Sequence, residues 1–147
     1  MINISYYTLP LVHLQTLGAS IRFATRRLGF RNNVNPRQVL DDMEKSGKVK
    51  PKTLEKLRRR QAAHENCFEN EAIFIGAVIA GNQVGLSTKY MNIMSVSYFL
   101  LRCIYIWMYI NFADQKKSYW RTIVYWTSNF CFLTTFVKCG LKLNAGD

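Results

Sequence analysis

The sequence predicts an all-α, membrane-spanning bundle of four helices. Long uncharged stretches alternate with charged ones, and the aromatic residues, 14% of the chain, are spread through the uncharged parts. Of the 20 lysines and arginines, 13 crowd into residues 22–60 together with only 4 of the 9 acids, so this block carries +9 of the net +11. A high pI invites a nucleic-acid reading. A basic block set between apolar segments instead has the form of a loop beside a membrane. The mean hydropathy of −0.07 averages these two unlike parts and hides both. The length fits one domain, 1–147.

The first predicted span covers residues 2–21, where no side chain is charged. A helix needs about 20 residues to cross a bilayer core. A cleaved signal peptide would begin with basic residues and end at a small-residue cleavage site. Met1–Asn3 has no basic side chain and the stretch runs into arginines, so the helix is expected to be retained, with a kink at Pro10. Residues 22–60 form the basic connector, with a turn at Asn35-Pro36. Pro51 suits the first turn of a second helix that continues unbroken into the membrane. The second span covers 66–88, ending near Gly85 and Ser87. The third covers 90–113, with Arg102 as its one charge, and Asp114–Ser118 is a polar turn. The fourth covers 121–138.

The connectors after spans one and three are basic, the latter through Lys116, Lys117 and Arg121, whereas the connector after span two offers only Lys89. The positive-inside rule therefore places the two basic loops in the cytosol. Cys67, Cys103, Cys131 and Cys139 form no CxxC pair and read as buried free thiols. His13 and His64 lie far apart with no second ligand nearby, so no metal site is expected. Trp107, Trp120 and Trp126 read as lipid-facing or interfacial anchors. Gly76, Gly81 and Gly85 read as sites of close helix packing.

Polar residues inside a membrane helix are expensive and mark a bundle interior or a site. Arg102, Tyr105 and Tyr109 follow the i, i+3, i+7 spacing that puts them on one helix face. Asn66 and Glu69 pair at i, i+3, with Arg59 one heptad before Asn66. Glu69 and Arg102 can simply neutralise each other across the bundle. The same set also suits an anionic, polar ligand, with arginines for carboxylates, Glu69 for an ammonium and phenols for an amide or thiol.

Three motifs resemble those of the membrane-associated proteins in eicosanoid and glutathione metabolism (MAPEG), the family of microsomal glutathione transferases, leukotriene C4 synthase and microsomal prostaglandin E synthase. The first is "RRQAAHENCFENEAIF" (Arg59–Phe74), with Ala63–Asn70 at its centre. The second is "LRCIYIWMY" (Leu101–Tyr109), similar to R-x-x-Y-x-x-x-Y. The third is "SYWRTIVYW" (Ser118–Trp126), similar to the R-[ST] start of the family's fourth helix. "NVNPR" and "AGNQVG" look most like the branch found in fungi.

The resemblance implies a homotrimer in the endoplasmic reticulum, with glutathione as co-substrate held between subunits near the cytosolic boundary and a small lipophilic substrate arriving from the lipid bilayer. By position it implies that Asn66 and Glu69 contact the glutathione backbone and amino end, and that Arg102, Tyr105 and Tyr109 line the same site. Arg121 would sit beside the sulfur, and Thr122 would donate to it. His64, Arg22, Arg26 and Arg59 are further candidates for the carboxylates. A fixed cation lowers a thiol pKa from about 8.5 and so favours the nucleophilic thiolate. Departures from the family pattern are Ala62, where animal enzymes carry an arginine, Ala72 in place of a proline, and the extra acid Glu71. They leave open an isomerase or cyclase using the same pocket, or a non-catalytic protein of the same fold. No nucleic-acid partner is expected.

Overall fold

A computed structural model describes residues 1–145. They form six α-helices and, among the described residues, no strand. The helices are α1 (Thr8–Ala19), α2 (Arg22–Arg27), α3 (Val39–Ser46), α4 (Pro51–Gln83), α5 (Thr88–Asn111) and α6 (Gln115–Asn144). Four of them, α1, α4, α5 and α6, make the bundle. Its core joins Val12, Phe74, Ala77, Val78, Met91, Met94, Tyr98 and Phe132.

The first helix is shorter than its uncharged stretch. A 3-10 turn at Ser5–Tyr7 precedes α1, whose 12 residues span about 18 Å. Pro10 falls in its first turn, where a backbone N–H has no intrahelical partner to lose, so the residue helps start the helix. The residues before it are pinned by polar side chains at the far end of the bundle. The Asn92 amide donates to the Ile2 carbonyl at 2.8 Å, and Asn82 donates to the Ser5 hydroxyl at 2.9 Å.

Residues 22–60 hold more structure than a loop. Their Val39, Met43, Leu54 and Leu57 join Ile21 in a second core, which forms a cap at one end of the bundle. A 3-10 turn at Pro36–Gln38, entered at Asn35, leads into α3, which carries Asp41 and Asp42 in its first turn and ends on Gly47 at φ 64°. α4 begins on Pro51, as its sequence predicts, and its 33 residues reach about 50 Å. That exceeds a hydrocarbon core of about 30 Å, so its first turns belong to the cap and the rest to the bundle.

Asp114–Ser118, expected as a turn, is mostly the start of α6. The Asp114 carboxylate accepts from the Lys116 N–H at 3.4 Å as N-cap. The α4–α5 turn uses Gly85 at φ 70°, and Ser87 caps α5 through the Tyr90 N–H. The Lys142 ammonium donates to the Gly85 carbonyl, tying the end of α6 to that turn. Of the three glycines expected at close approaches, Gly81 fits best. A Cβ there would meet Met91 Sδ at 2.6 Å and Thr135 Cγ2 at 3.1 Å, whereas Gly76 has only Phe136 at 3.7 Å.

Taken singly, α5 alone among the described helices is long and apolar enough to cross a membrane. The charges at the ends of α4 and α6 dilute their hydropathy. Their outer faces are nonetheless apolar: Ile73 and Ile79 of α4 and Trp126, Phe130 and Val137 of α6 are exposed, alongside Leu14 of α1 and Trp107 of α5. A soluble monomer rarely exposes an apolar surface extending over a whole bundle.

Candidate functional site

α5 turns one face inward along Tyr98, Arg102, Tyr105 and Tyr109, at successive steps of four, three and four residues. Arg102 is 1% exposed. Its guanidinium lies 5.3 Å from the Tyr98 ring centroid, 5.2 Å from Tyr105 and 5.3 Å from Tyr125. Its Nε donates to the Tyr98 hydroxyl at 3.2 Å, while Nη1 and Nη2 have no hydrogen-bond partner among the described residues. Among the described residues no carboxylate is ion-paired with it. Three electron-rich ring faces stabilise the cation instead.

The aromatic column continues toward the cap. Tyr105 meets Tyr109 edge-on at 5.4 Å, and Arg121 stacks over the Tyr109 ring at 3.9 Å. Arg121 stands in the second turn of α6 and is half-buried. Arg102, Tyr105, Tyr109 and Arg121 therefore form one continuous assembly, joined by Tyr125. Asn70 is linked to it through the Tyr125 hydroxyl at 3.4 Å.

The other candidates lie elsewhere. Glu69 is exposed and lines an open groove of about 740 Å³ with Arg22, His64, Glu65, Phe68 and Gln61. The His64 Nδ1–H donates to the Thr16 carbonyl at 2.8 Å, which leaves Nε2 as the free ring nitrogen. No α5 or α6 residue lines this groove. Asn66 is half-buried and its amide donates to the Ala62 carbonyl of its own helix at 2.9 Å. Arg59 donates to the Ile110 carbonyl at 3.3 Å, near the end of α5 where a cation is favourable. Thr122 is exposed, and its hydroxyl donates to the Ser118 carbonyl at 3.4 Å. Arg26 lines a smaller cavity in the cap, with Arg22 and Arg31. The ion pair between Glu69 and Arg102 that the sequence allows does not form: one side chain lies in the groove, the other inside the bundle.

Sequence reasoning missed an interior acid. Glu71 is 6% exposed, and its Oε1 lies 2.7 Å from His13 Nδ1 on α1, while Oε2 has no partner. The signal was in the chain, since Glu71 falls among Cys67, Phe74 and Val78 on the buried stripe of α4. The thiols divide. Cys67 and Cys139 are buried, Cys131 is half-buried, and Cys103 is exposed with the Gln15 amide 2.7 Å from its sulfur. None is disulfide-bonded among the described residues.

Four bundled helices with an apolar outer surface and a guanidinium–phenol interior define a membrane protein with a polar site. The MAPEG family profile matches residues 5–141, nearly the whole chain, and the protein belongs to that family. Its members are membrane proteins of glutathione-related transferase, isomerase and similar activity. No curated protein and no solved structure matches the chain.

Proposed function

We propose that the protein is a membrane-bound, glutathione-dependent transferase or peroxidase whose thiolate is stabilised by Arg121. The observation that carries this reading is the stack of Arg121 on Tyr109 at 3.9 Å, which fixes a half-buried cation at one end of the aromatic column. A cation held there favours the charged form of a neighbouring thiol. In the transferase reaction the thiol proton leaves to solvent. The thiolate sulfur then bonds to the electrophilic carbon, whose leaving group departs with the bonding pair. In the peroxidase reaction two glutathiones and a hydroperoxide give the disulfide, an alcohol and water.

The groove supplies what the rest of the tripeptide needs. Glu69 suits the ammonium and Arg22 a carboxylate, while His64, whose Nδ1–H is given to Thr16, donates to a carboxylate through Nε2 only as the imidazolium, with Asn66 nearby on α4. Its 740 Å³ lies in the usual range for a small-molecule site, about 300–1,000 Å³. Groove and column draw on different parts of the chain, the cap and α4 for one, α5 and α6 for the other. A homotrimer in which the groove of one protomer faces the column of its neighbour joins them. The cap and its basic surface then face the cytosol from the endoplasmic reticulum membrane, and the lipophilic substrate enters from the bilayer.

Thiolate absorbance on titrating glutathione into detergent-purified protein tests the reading. In wild type the thiolate appears at a pH below the free thiol value of about 8.5. In Arg121→Ala the midpoint returns toward that value, because the cation that lowered it is gone. Failure of the wild type to bind glutathione at millimolar concentration contradicts the assignment. A second reading, an isomerase or cyclase, draws on Arg59, whose engagement with the Ile110 carbonyl withdraws one cation from the thiol ligand. A product that forms equally well without any thiol selects it.

A further inference from the structure

The cap contains a basic cavity that the glutathione reading does not use. It encloses about 220 Å³ and is lined by Arg22, Arg26 and Arg31, with Thr25, Asn32 and Asn33 among its polar groups. Local sequence builds it. Gly29 adopts φ 82° after the last turn of α2, the Gly29 N–H donates to the Arg26 carbonyl at 3.1 Å, and the Phe30 N–H donates to the Thr25 carbonyl at 3.0 Å. This double closure is a Schellman turn. It reverses the chain, so that Arg31 returns beside Arg26.

The nearby acids do not neutralise these arginines. Asp41 and Glu44 approach Arg58 at 3.7 and 2.7 Å, and Asp42 accepts from the Asn32 amide at 3.1 Å. None of the three arginines is in an ion pair among the described residues. Three guanidinium groups around one small cavity match a phosphate dianion, because each can donate two parallel hydrogen bonds to its oxygens. The cavity is smaller than a peptide-sized site of about 300 Å³ or more, which separates it from the groove. It also begins only two residues after the end of α1. Phe23, Leu28 and Val34 on the same segment are exposed, as side chains that enter a headgroup layer are.

We propose that this cavity binds the phosphomonoester headgroup of an anionic phospholipid. The apolar side chains of residues 23–34 rest in the interface while Arg26 and Arg31 grip the phosphate. Arg22 lines both cavities, so it is left intact in the test. The full chain in neutral detergent is examined by native mass spectrometry with added dioleoyl-phosphatidic acid, dioleoyl-phosphatidylcholine or inorganic phosphate. Wild type retains phosphatidic acid over phosphatidylcholine, and millimolar inorganic phosphate does not displace it. Each direct charge-assisted contact of an arginine with the phosphate contributes at least about fivefold, so Arg26→Gln with Arg31→Gln weakens retention by about 25-fold or more. Lys45→Gln with Lys48→Gln removes the same charge from the cap away from the cavity and leaves retention unchanged. Equal losses in the two double variants overturn the site, because a diffuse field then suffices. Equal retention of both lipids overturns it as well. Displacement by inorganic phosphate overturns the lipid assignment in favour of a soluble phosphate ligand. None of these readouts involves glutathione, so this proposal and the transferase reading stand or fall separately.

Discussion

Arg102 sits where a guanidinium is expensive, by about 2.5–3.5 kcal/mol at the centre of a membrane helix. Three phenol faces offset that cost in place of a carboxylate. A lysine keeps the charge but not the planar, weakly hydrated group that stacks among rings. Arg102→Lys is therefore expected to lower stability by about 1–2 kcal/mol, read from thermal denaturation in detergent. Glu71 and His13 make a second prediction at this scale. His13→Ala leaves a buried carboxylate without a partner and destabilises by about 1–3 kcal/mol. Replacing both by leucine recovers most of the loss, since no polar group is then stranded. If the double variant is less stable than His13→Ala, the pair has a role beyond mutual satisfaction. The α5 face was legible in the sequence because its spacing lies within one helix. Tyr125, Asn70 and the pairing of Glu71 with His13 were not, because their partners come from other helices: the spacing along α4 marks Glu71 as interior but does not name its partner.

Among the elements, α4 meets side chains of α5 and α6 closely at Gly81. A methyl group there presses on the Met91 thioether and the Thr135 methyl. Gly81→Val is expected to destabilise by about 1–3 kcal/mol through overpacking, and Gly81→Ala by less, because a methionine side chain can move aside. Denaturation midpoints of the two variants check that order. The helices of the bundle were legible as uncharged stretches, but their ends were not. α1 is shorter than its stretch because its first residues are held by Asn82 and Asn92 instead of by helix hydrogen bonds. α6 starts earlier than expected because Asp114 caps it, so Lys116 and Lys117 are helical. The cap was hidden by charge. Thirteen cations among residues 22–60 obscured the apolar positions Val39, Met43, Leu54 and Leu57 that form its core.

At the scale of the whole molecule, the membrane class was legible from the alternation of charged and uncharged segments, and the family from three ordered motifs. The division of the candidate site was not. Residues that share motifs separate into a groove between the cap and α4 and a column between α5 and α6, since a helix presents neighbouring sequence positions to opposite sides. A closed, symmetric oligomer brings such faces together repeatedly. The mass of the detergent-purified protein is accordingly expected to be that of a trimer.

Mixed oligomers test most directly whether groove and column of different protomers form one glutathione site. Glu69→Gln disables the groove and Arg121→Ala disables the column, and each variant alone is expected to lose thiolate formation. Co-expressed in equal amounts and assembled at random, the two place an intact groove against an intact column at roughly a quarter of all interfaces. Thiolate absorbance then recovers to about that fraction of the wild-type signal. Mixed oligomers as inactive as the separate variants would contradict it, because a site contained within one chain cannot be rescued by a neighbour.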